Sequence, residues 1–425
     1  MRMSNLPALF ALAITVAAVH AADIPQPEST PGANGYSAER LERLHEVIQA
    51  SVDRGEYAGA VSLIARDGKT VDWRSYGYRD LDKREAMKKD DIFRIYSMTK
   101  VIVSAAALIL HEEGKFLLSD PVSKYIPDMA EMKVYQGGEG DSMELVELSN
   151  PITIKHLFTH TSGITYDFTA PAELKPLYEI YPVYAQQSSE DFITELVKLP
   201  LAHQPGEKMT YGMSTDVLGR LIEVISGKSL GVFMKERLFD PLGLVDTGFT
   251  VPPEKLDRLA LLYTTRDNTL MHLAPDDENQ DHLPVDGSKV AGFESGGSGL
   301  YSTAGDYLRF GQMLLNRGEL NDVRILSRKS IEIMTTNQLE GLDDPTHMYS
   351  ESDGFGLGVS VRASLARGEL LGSVGQYGWN GAATTYFSAD PKERTIAILL
   401  VQHMPFDEHG LFPLFNNLHY QAIVD

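Results

Sequence analysis

The stretch RIYSMTKVIV, residues 94–103, sets Ser97 three positions ahead of Lys100 at the mouth of an apolar run. An S-x-x-K alone decides little, because roughly one arises by composition in a chain of this length. The residues after it decide more. VIVSAAALILHEEGK is apolar on nearly every face until His111, which predicts a helix buried at the centre of the fold. Arg94 to Tyr96 lead into it as a strand-like run, so Ser97 falls at the first turn of that helix.

This placement gives the pair a chemical reason. Residues i and i+3 share a helix face, so the Lys100 amine can reach the Ser97 hydroxyl. A free serine is a poor nucleophile and needs a base. A lysine drawn into a dry site loses part of its preference for the charged form. The helix start carries positive potential and amides without intrahelical partners, so the Ser97 N–H can donate to an oxyanion.

Outward from this centre, both ends of the chain read as strands. GAVSLIARDGKTVDWRSYGY predicts a hairpin turning at Asp67-Gly68, preceded by a helix capped by Ser37 and stopped at Gly55. Near the other end, GQYGWNGAATTYFSAD and RTIAILLVQ flank an Asp-Pro-Lys-Glu turn, and LFPLFNNLHYQAIV closes the chain as a helix. Between them, from about 115 to 290, helices and loops predominate. STDVLGRLIEVISGKS is an amphipathic helix capped by Ser214 or Thr215 and stopped at Gly227. STAGDYLRFGQMLL is another, with Thr303 and Asp306 at capping-box spacing. The fold class that follows is α/β of the α+β type. It is a mostly antiparallel sheet flanked by helices, built from both ends of the chain around an inserted, mainly helical region. Residues 37–96 and 300–425 supply the α/β part and 97–299 the helical part; 22–36 form a Pro/Gly-bearing linker.

The 425 residues are 43% apolar and 23% charged, a globular composition. A net charge of −21 argues against nucleic acid as a partner, since phosphate binding needs a basic face. The chain has no cysteine, which excludes disulfides, thiol catalysis and thiolate-bound metals. Arg2, the apolar run Leu6 to Val19 and the small residues of AVHA at 18–21 predict a signal peptide at 1–21, cleaved near Ala21. A periplasmic or secreted location follows, with no membrane span in the mature chain.

Other motifs fail. SGKS at 226–229 lacks the first glycine of a phosphate loop, no G-x-S-x-G is present, and PDDENQD lacks calcium-loop spacing. His156 and His160 stand at i,i+4, but His160 lies in the turn HTSG and no third ligand suggests itself. Neither metal nor cofactor is expected. His160 and Ser162 are read as shaping that turn.

Five segments in order then carry a resemblance. FRIYSMTK…HEEGKFLLSDPVSKYIP, ITIKHLFTHTSGI, PGEKMTYGMSTDVLGRLIEVISG, ESGGSGLYSTAGDYLRF and YGWNGAATTYF resemble the serine β-lactamase superfamily. The similarity spans roughly residues 37 to 425 and is greatest to the class C-like branch and its family VIII carboxylesterases. The resemblance implies Ser97 as nucleophile, Lys100 as its partner base and Tyr211 as the tyrosine opening the second motif. It implies an oxyanion hole from the N–H groups of Ser97 and Ala382, and a substrate wall including Trp379, Asn380 and Gly381.

Two departures narrow the chemistry. Met213 stands where the second motif usually carries asparagine, removing an amide that would orient a β-lactam or peptide amide. Trp379 stands where β-lactamases carry the lysine of K-T-G, removing the cation that would grip a carboxylate. The expectation is a serine esterase acting on small-molecule esters of short-chain acids through an acyl-enzyme. Alternatives are a β-lactamase or D-Ala-D-Ala carboxypeptidase, a transesterase, and a non-catalytic peptidoglycan-related binding protein. Oligomeric state stays open.

Overall fold

A computed structural model describes residues 29–273, 287–290, 292–342 and 344–425. The expected signal peptide, the first part of the linker and the acidic PDDENQD loop lie outside the described residues. Helix α1 (Ala38–Asp53) opens the fold, and Ser37 Oγ accepts from Arg40 N at 3.2 Å as its cap. Strands β1 (Gly59–Arg66) and β2 (Lys69–Asp80) form the expected hairpin. Asp67 (φ 54°) and Gly68 (φ 73°) both adopt the left-handed conformation that a tight two-residue turn requires. Strand β3 (Glu85–Ala86) follows, then the buried helix α2 (Thr99–Glu112).

The middle of the chain supplies α3 (Ser214–Ser226), and α4 (Ala304–Leu315) leads into the second group of strands. These are β4 (Asp353–Phe355), β5 (Ser360–Arg362), β6 (Tyr377–Gly381), β7 (Thr385–Asp390) and β8 (Thr395–Val401), followed by α5 (Leu411–Gln421). One eight-stranded sheet results, in the order β4-β5-β6-β7-β8-β1-β2-β3, with every neighbouring pair antiparallel. The first and last parts of the chain meet in its centre, where Leu63 pairs with Ile398 and Ile64 with Ala397.

All eight residues of β1 are buried, because the central strands are covered on both faces. Ala60 and Ile64 face a cluster with Leu41, Leu44 and Ile48 of α1 and Leu411 and Phe415 of α5. Val61 and Leu63 face the main core with Phe310 and Met313 of α4 and most of α2. The period-2 alternation of the strand divides the two cores. Residue 36 of the expected linker is part of this body: Tyr36 is buried, bridges to Ile423 and bonds His419 Nε2 through its hydroxyl at 2.8 Å.

The structure corrects several local readings. GQYGWNGAATTYFSAD is a hairpin of two strands, β6 and β7, with Thr384 at φ 59° in the turn. Neither Ser214 nor Thr215 caps α3: the cap position is Met213, and the Ser214 hydroxyl bonds Ser162 Oγ at 2.8 Å instead. Thr303 does cap α4, accepting from Asp306 N at 3.1 Å. The Asp306 carboxylate, however, turns away to Asp246 N and Thr247 Oγ1, so the box stays half-made. The helical middle also holds small strand pairs, Val134–Gly137 with Glu144–Val146 and Tyr263–Arg266 with Thr269–His272. Among the described residues no helix is long and apolar enough to cross a membrane.

Candidate active site

Ser97 lies in a single 3-10 turn, Tyr96–Met98, that runs directly into α2. It is the one residue between 91 and 110 that is not buried. Its position is fixed from both sides. Ile95 N donates to Leu300 O at 3.1 Å, and Tyr307 of α4 donates its hydroxyl to Met98 O at 2.9 Å. Tyr96, fully buried, is held at φ 44°, a left-handed conformation rare for a bulky side chain and typical of constrained functional turns.

Lys100 is wholly buried one turn on. Its Nζ donates to Ser97 Oγ at 3.3 Å, to Tyr166 Oη at 2.9 Å and to the Gly297 carbonyl at 2.8 Å. The amine also sits over the rings of Tyr211 (4.7 Å to the centroid) and Tyr166 (5.3 Å), a cation–π arrangement in a dry setting. The Gly297 carbonyl is aimed by Asp216 in the first turn of α3, whose Oδ1 accepts from Gly297 N at 3.0 Å and Ser295 Oγ at 2.5 Å. Only glycine fits at 297: a Cβ there would lie 2.5 Å from Asp216 Oδ2 and 3.0 Å from Tyr166 Oη.

Tyr211 faces the pair from the loop before α3. Its amide donates to Met348 Sδ at 3.4 Å, and its carbonyl accepts from Thr169 Oγ1 at 2.7 Å. Thr169 Oγ1 in turn accepts from Tyr166 N at 2.9 Å, so one hydroxyl ties the loops of both tyrosines together. Trp379, half-buried on β6, donates its indole N–H to Tyr211 Oη at 3.2 Å and packs its ring 5.3 Å from that of Tyr211. Phe355 and His347 surround the other side of the indole at 5.2 and 6.0 Å.

His160 does structural work in this wall. It is fully buried at φ 54°, its Nδ1 accepts from Gly212 N at 3.3 Å, and its ring packs 4.9 Å from Tyr211. Burial, with Lys100 nearby, holds its pKa well below the ordinary histidine value, and burial pushes His347 down to about 4. Both rings are therefore neutral near pH 7. Ser162 shapes the same turn, accepting from Ile164 N at 3.1 Å.

The remaining sequence-derived positions divide. The end of β6 abuts the Ser97 turn: a Cβ at Gly381 would lie 2.4 Å from Ile95 O. Ala382 packs in a small cluster with Tyr96, and Asn380 is half-buried beside Trp379. Met213 is 1% exposed and belongs to the main hydrophobic core, so the position that carries an amide elsewhere supplies packing surface here. Tyr166 went unread in the sequence. Its place in HTSGITY, directly after a positive-φ turn at Gly163, was the available signal. Phe168, stacked on Tyr166 at 5.1 Å, is 63% exposed. With the exposed Met348 and Tyr349 it leaves an apolar rim around the tyrosine pair.

Comparison with known proteins identifies the family. A family model described as Beta-lactamase matches residues 44–414. An uncharacterised Mycobacterium tuberculosis protein is 34% identical over 84% of this chain and 89% of its own. The lovastatin esterase of Penicillium rubens is 29% identical over 84% of this chain and 92% of its own. Among solved structures, EstCE1, described as a hydrolase with promiscuous acyltransferase activity, superposes with a TM-score of 0.74 at 23% identity. That match covers 91% of this chain and 98% of the other.

Proposed function

The chain belongs to the beta-lactamase family, and from that premise we propose that it is a serine ester hydrolase working through an acyl-enzyme on Ser97. The observation that carries the reading is the pairing of a wholly buried Lys100 Nζ 3.3 Å from Ser97 Oγ with an indole on the facing tyrosine. The first supplies a nucleophile with a base. The second puts an aromatic where a carboxylate-gripping cation would stand.

Ser97 Oγ attacks the ester carbonyl carbon while its proton passes to the coupled Lys100–Tyr211 pair. The oxyanion is held by the N–H groups of Ser97 and Ala382, on the two segments that meet at Gly381. Collapse breaks the carbon–oxygen bond to the alcohol, which leaves with the proton held by the pair. Water attacks the acyl-enzyme by the same route in reverse and releases the acid. Trp379, with Asn380 and Gly381 beside it, lines the substrate side. The apolar rim of Phe168, Met348 and Tyr349 favours uncharged esters, and esters of short-chain acids are the substrates this reading expects. Export to the periplasm or medium, on the strength of the N-terminal sequence, belongs to the same reading.

Acyl transfer is the second reading. It is favoured by the same rim, which offers an apolar alcohol a place beside the acyl-enzyme, and by the activity named for the EstCE1 neighbour. Ser97→Ala should abolish p-nitrophenyl butyrate hydrolysis with the fold intact by circular dichroism; retained turnover would refute the proposal. Adding an alcohol during turnover separates the two readings, since a new ester appears only if the alcohol competes with water. Nitrocefin turned over much faster than the nitrophenyl ester would favour a β-lactamase instead.

A further inference from the structure

A second convergence of ligating atoms lies away from Ser97, where β8 runs on toward α5. His403 is wholly buried, while Glu408 and His409 are partly open to solvent. Ligand atoms of all three come within 4.8 Å of one another. Glu408 Oε2 lies 3.5 Å from His403 Nε2 and 3.8 Å from His409 Nε2. Thr265, on the strand Tyr263–Arg266, points its hydroxyl between the same two nitrogens, at 3.0 and 3.3 Å. The rings are held from behind: the buried Tyr57 meets each edge-on, with centroids 5.3 Å away in both cases. Residues 403–404 are fixed by parallel pairing with Tyr263 and Thr264.

We propose that His403, Glu408 and His409 form a site for a divalent cation of the zinc type, with Thr265 beside the remaining position. The donor set is two imidazoles and one carboxylate, which suits zinc and disfavours magnesium or calcium. Bonds of about 2.0–2.1 Å place tetrahedral ligands about 3.3 Å apart. The carboxylate lies 3.5 and 3.8 Å from the two imidazole nitrogens, and the three ligand atoms all fall within 4.8 Å of one another. These distances are somewhat wider than that spacing, so the site closes by an inward movement of the partly exposed Glu408 and His409 side chains. The buried His403 supplies the fixed ligand, and the two partly exposed residues supply the side from which an ion enters.

The site is connected to the turn that carries Ala382. His403 N donates to Ala383 O at 3.2 Å, Thr384 Oγ1 donates to His403 O at 3.1 Å, and Asp407 N donates to Thr384 Oγ1 at 2.9 Å. A bound cation ties residues 403–409 together and through them holds the turn after β6. Its role is positional, since it lies outside the Ser97 chemistry. Binding itself does not depend on the ester-hydrolase reading; only an effect on turnover does.

The test uses the full chain stripped with a chelator and dialysed against zinc chloride or cobalt chloride alone. One equivalent of metal per chain is expected, with the visible absorption of four-coordinate cobalt and a rise in thermal midpoint on zinc addition. Glu408→Gln and His409→Ala, both at partly exposed positions, should weaken uptake at least tenfold and remove the thermal shift. His111→Ala, at the end of α2, should leave both unchanged. Failure to take up stoichiometric metal, or uptake indifferent to Glu408→Gln and His409→Ala, overturns the site. Stoichiometric, variant-sensitive binding in a protein without ester turnover would leave the site standing and refute the hydrolase reading instead.

Discussion

The two walls of the cleft are built on different principles. On one side, Ser97 and Lys100 share a buried helix start, and each polar contact has a fixed partner: Tyr166 Oη, Gly297 O, and behind them Asp216. On the other, Tyr211, Trp379 and Phe355 pack in tilted and edge-to-face contacts with one another and with His160, His347 and the exposed Tyr349. In the proposed reading the first wall supplies a nucleophile and a place for its proton, needs common to any acyl transfer. The second is aromatic, with two histidines kept neutral by burial, and in the same reading it decides which acyl compound approaches. In this proposal reaction type and substrate choice thus belong to separate parts of the structure.

Lys100→Ala presses hardest on that separation. It should lower kcat/KM for p-nitrophenyl butyrate by about 10³-fold or more, because the nucleophile loses its adjacent base. Tyr211→Phe keeps the aromatic packing and removes one hydroxyl, so a loss of about 10²-fold, mostly in kcat, is expected. A change in KM alone would place Tyr211 wholly in the substrate wall. Trp379→Lys restores a cation to that wall. The ratio of nitrocefin to ester turnover should rise by about tenfold while Ser97 still labels with a fluorophosphonate. An unchanged ratio would mean that the indole does not select substrates.

Acidification should act on the stability of the whole fold, through buried histidines inside and outside the aromatic wall. Burial lowers the pKa of His347 and His156 to about 4 and that of His419 to about 3, with His160 also well below its usual value. The unfolded chain takes up these protons near pH 6.5, the fold only at much lower pH. Stability from these groups is therefore complete above about pH 7 and is lost as pH falls. Asp91 and Asp306, raised to about 6 by burial, work in the opposite sense below that pH, but they are outnumbered. Urea unfolding at pH 7.5 and pH 5 should show a net loss on the order of a few kcal/mol. Equal stability at the two values would mean that these histidines reach solvent.

The same division explains what the sequence disclosed. Asp67-Gly68, the Ser37 cap, the apolar α2 and the strand patterns at both ends are local and were readable from neighbouring residues. That the end strands pair, Leu63 opposite Ile398, followed from the overall order of strands and helices. Ser97, Lys100, Tyr211 and Trp379 stand out in the sequence because ordered segments carry them, and the fold brings the four side chains together. Tyr166 does not, since its contact with Lys100 joins residues 66 positions apart through a turn whose geometry depends on Gly163 and Thr169. The Ser214 cap was misread for a similar reason: its hydroxyl is taken by Ser162, a partner 52 residues away. His403, Glu408 and His409 lie within seven residues, but only the bend after residue 404 brings their ligand atoms together, and Thr265 reaches them from a distant strand.

The central claim is that the nucleophile wall forms a covalent acyl-enzyme, and intact-mass measurement during turnover tests it most directly. Protein mixed rapidly with p-nitrophenyl butyrate and quenched in acid should gain the mass of one butyryl group, and peptide mapping should place it on Ser97. Tyr211→Phe should prolong the adduct if deacylation uses the same pair. Steady hydrolysis with no adduct on Ser97, or an adduct on another residue that persists in Ser97→Ala, would contradict the account.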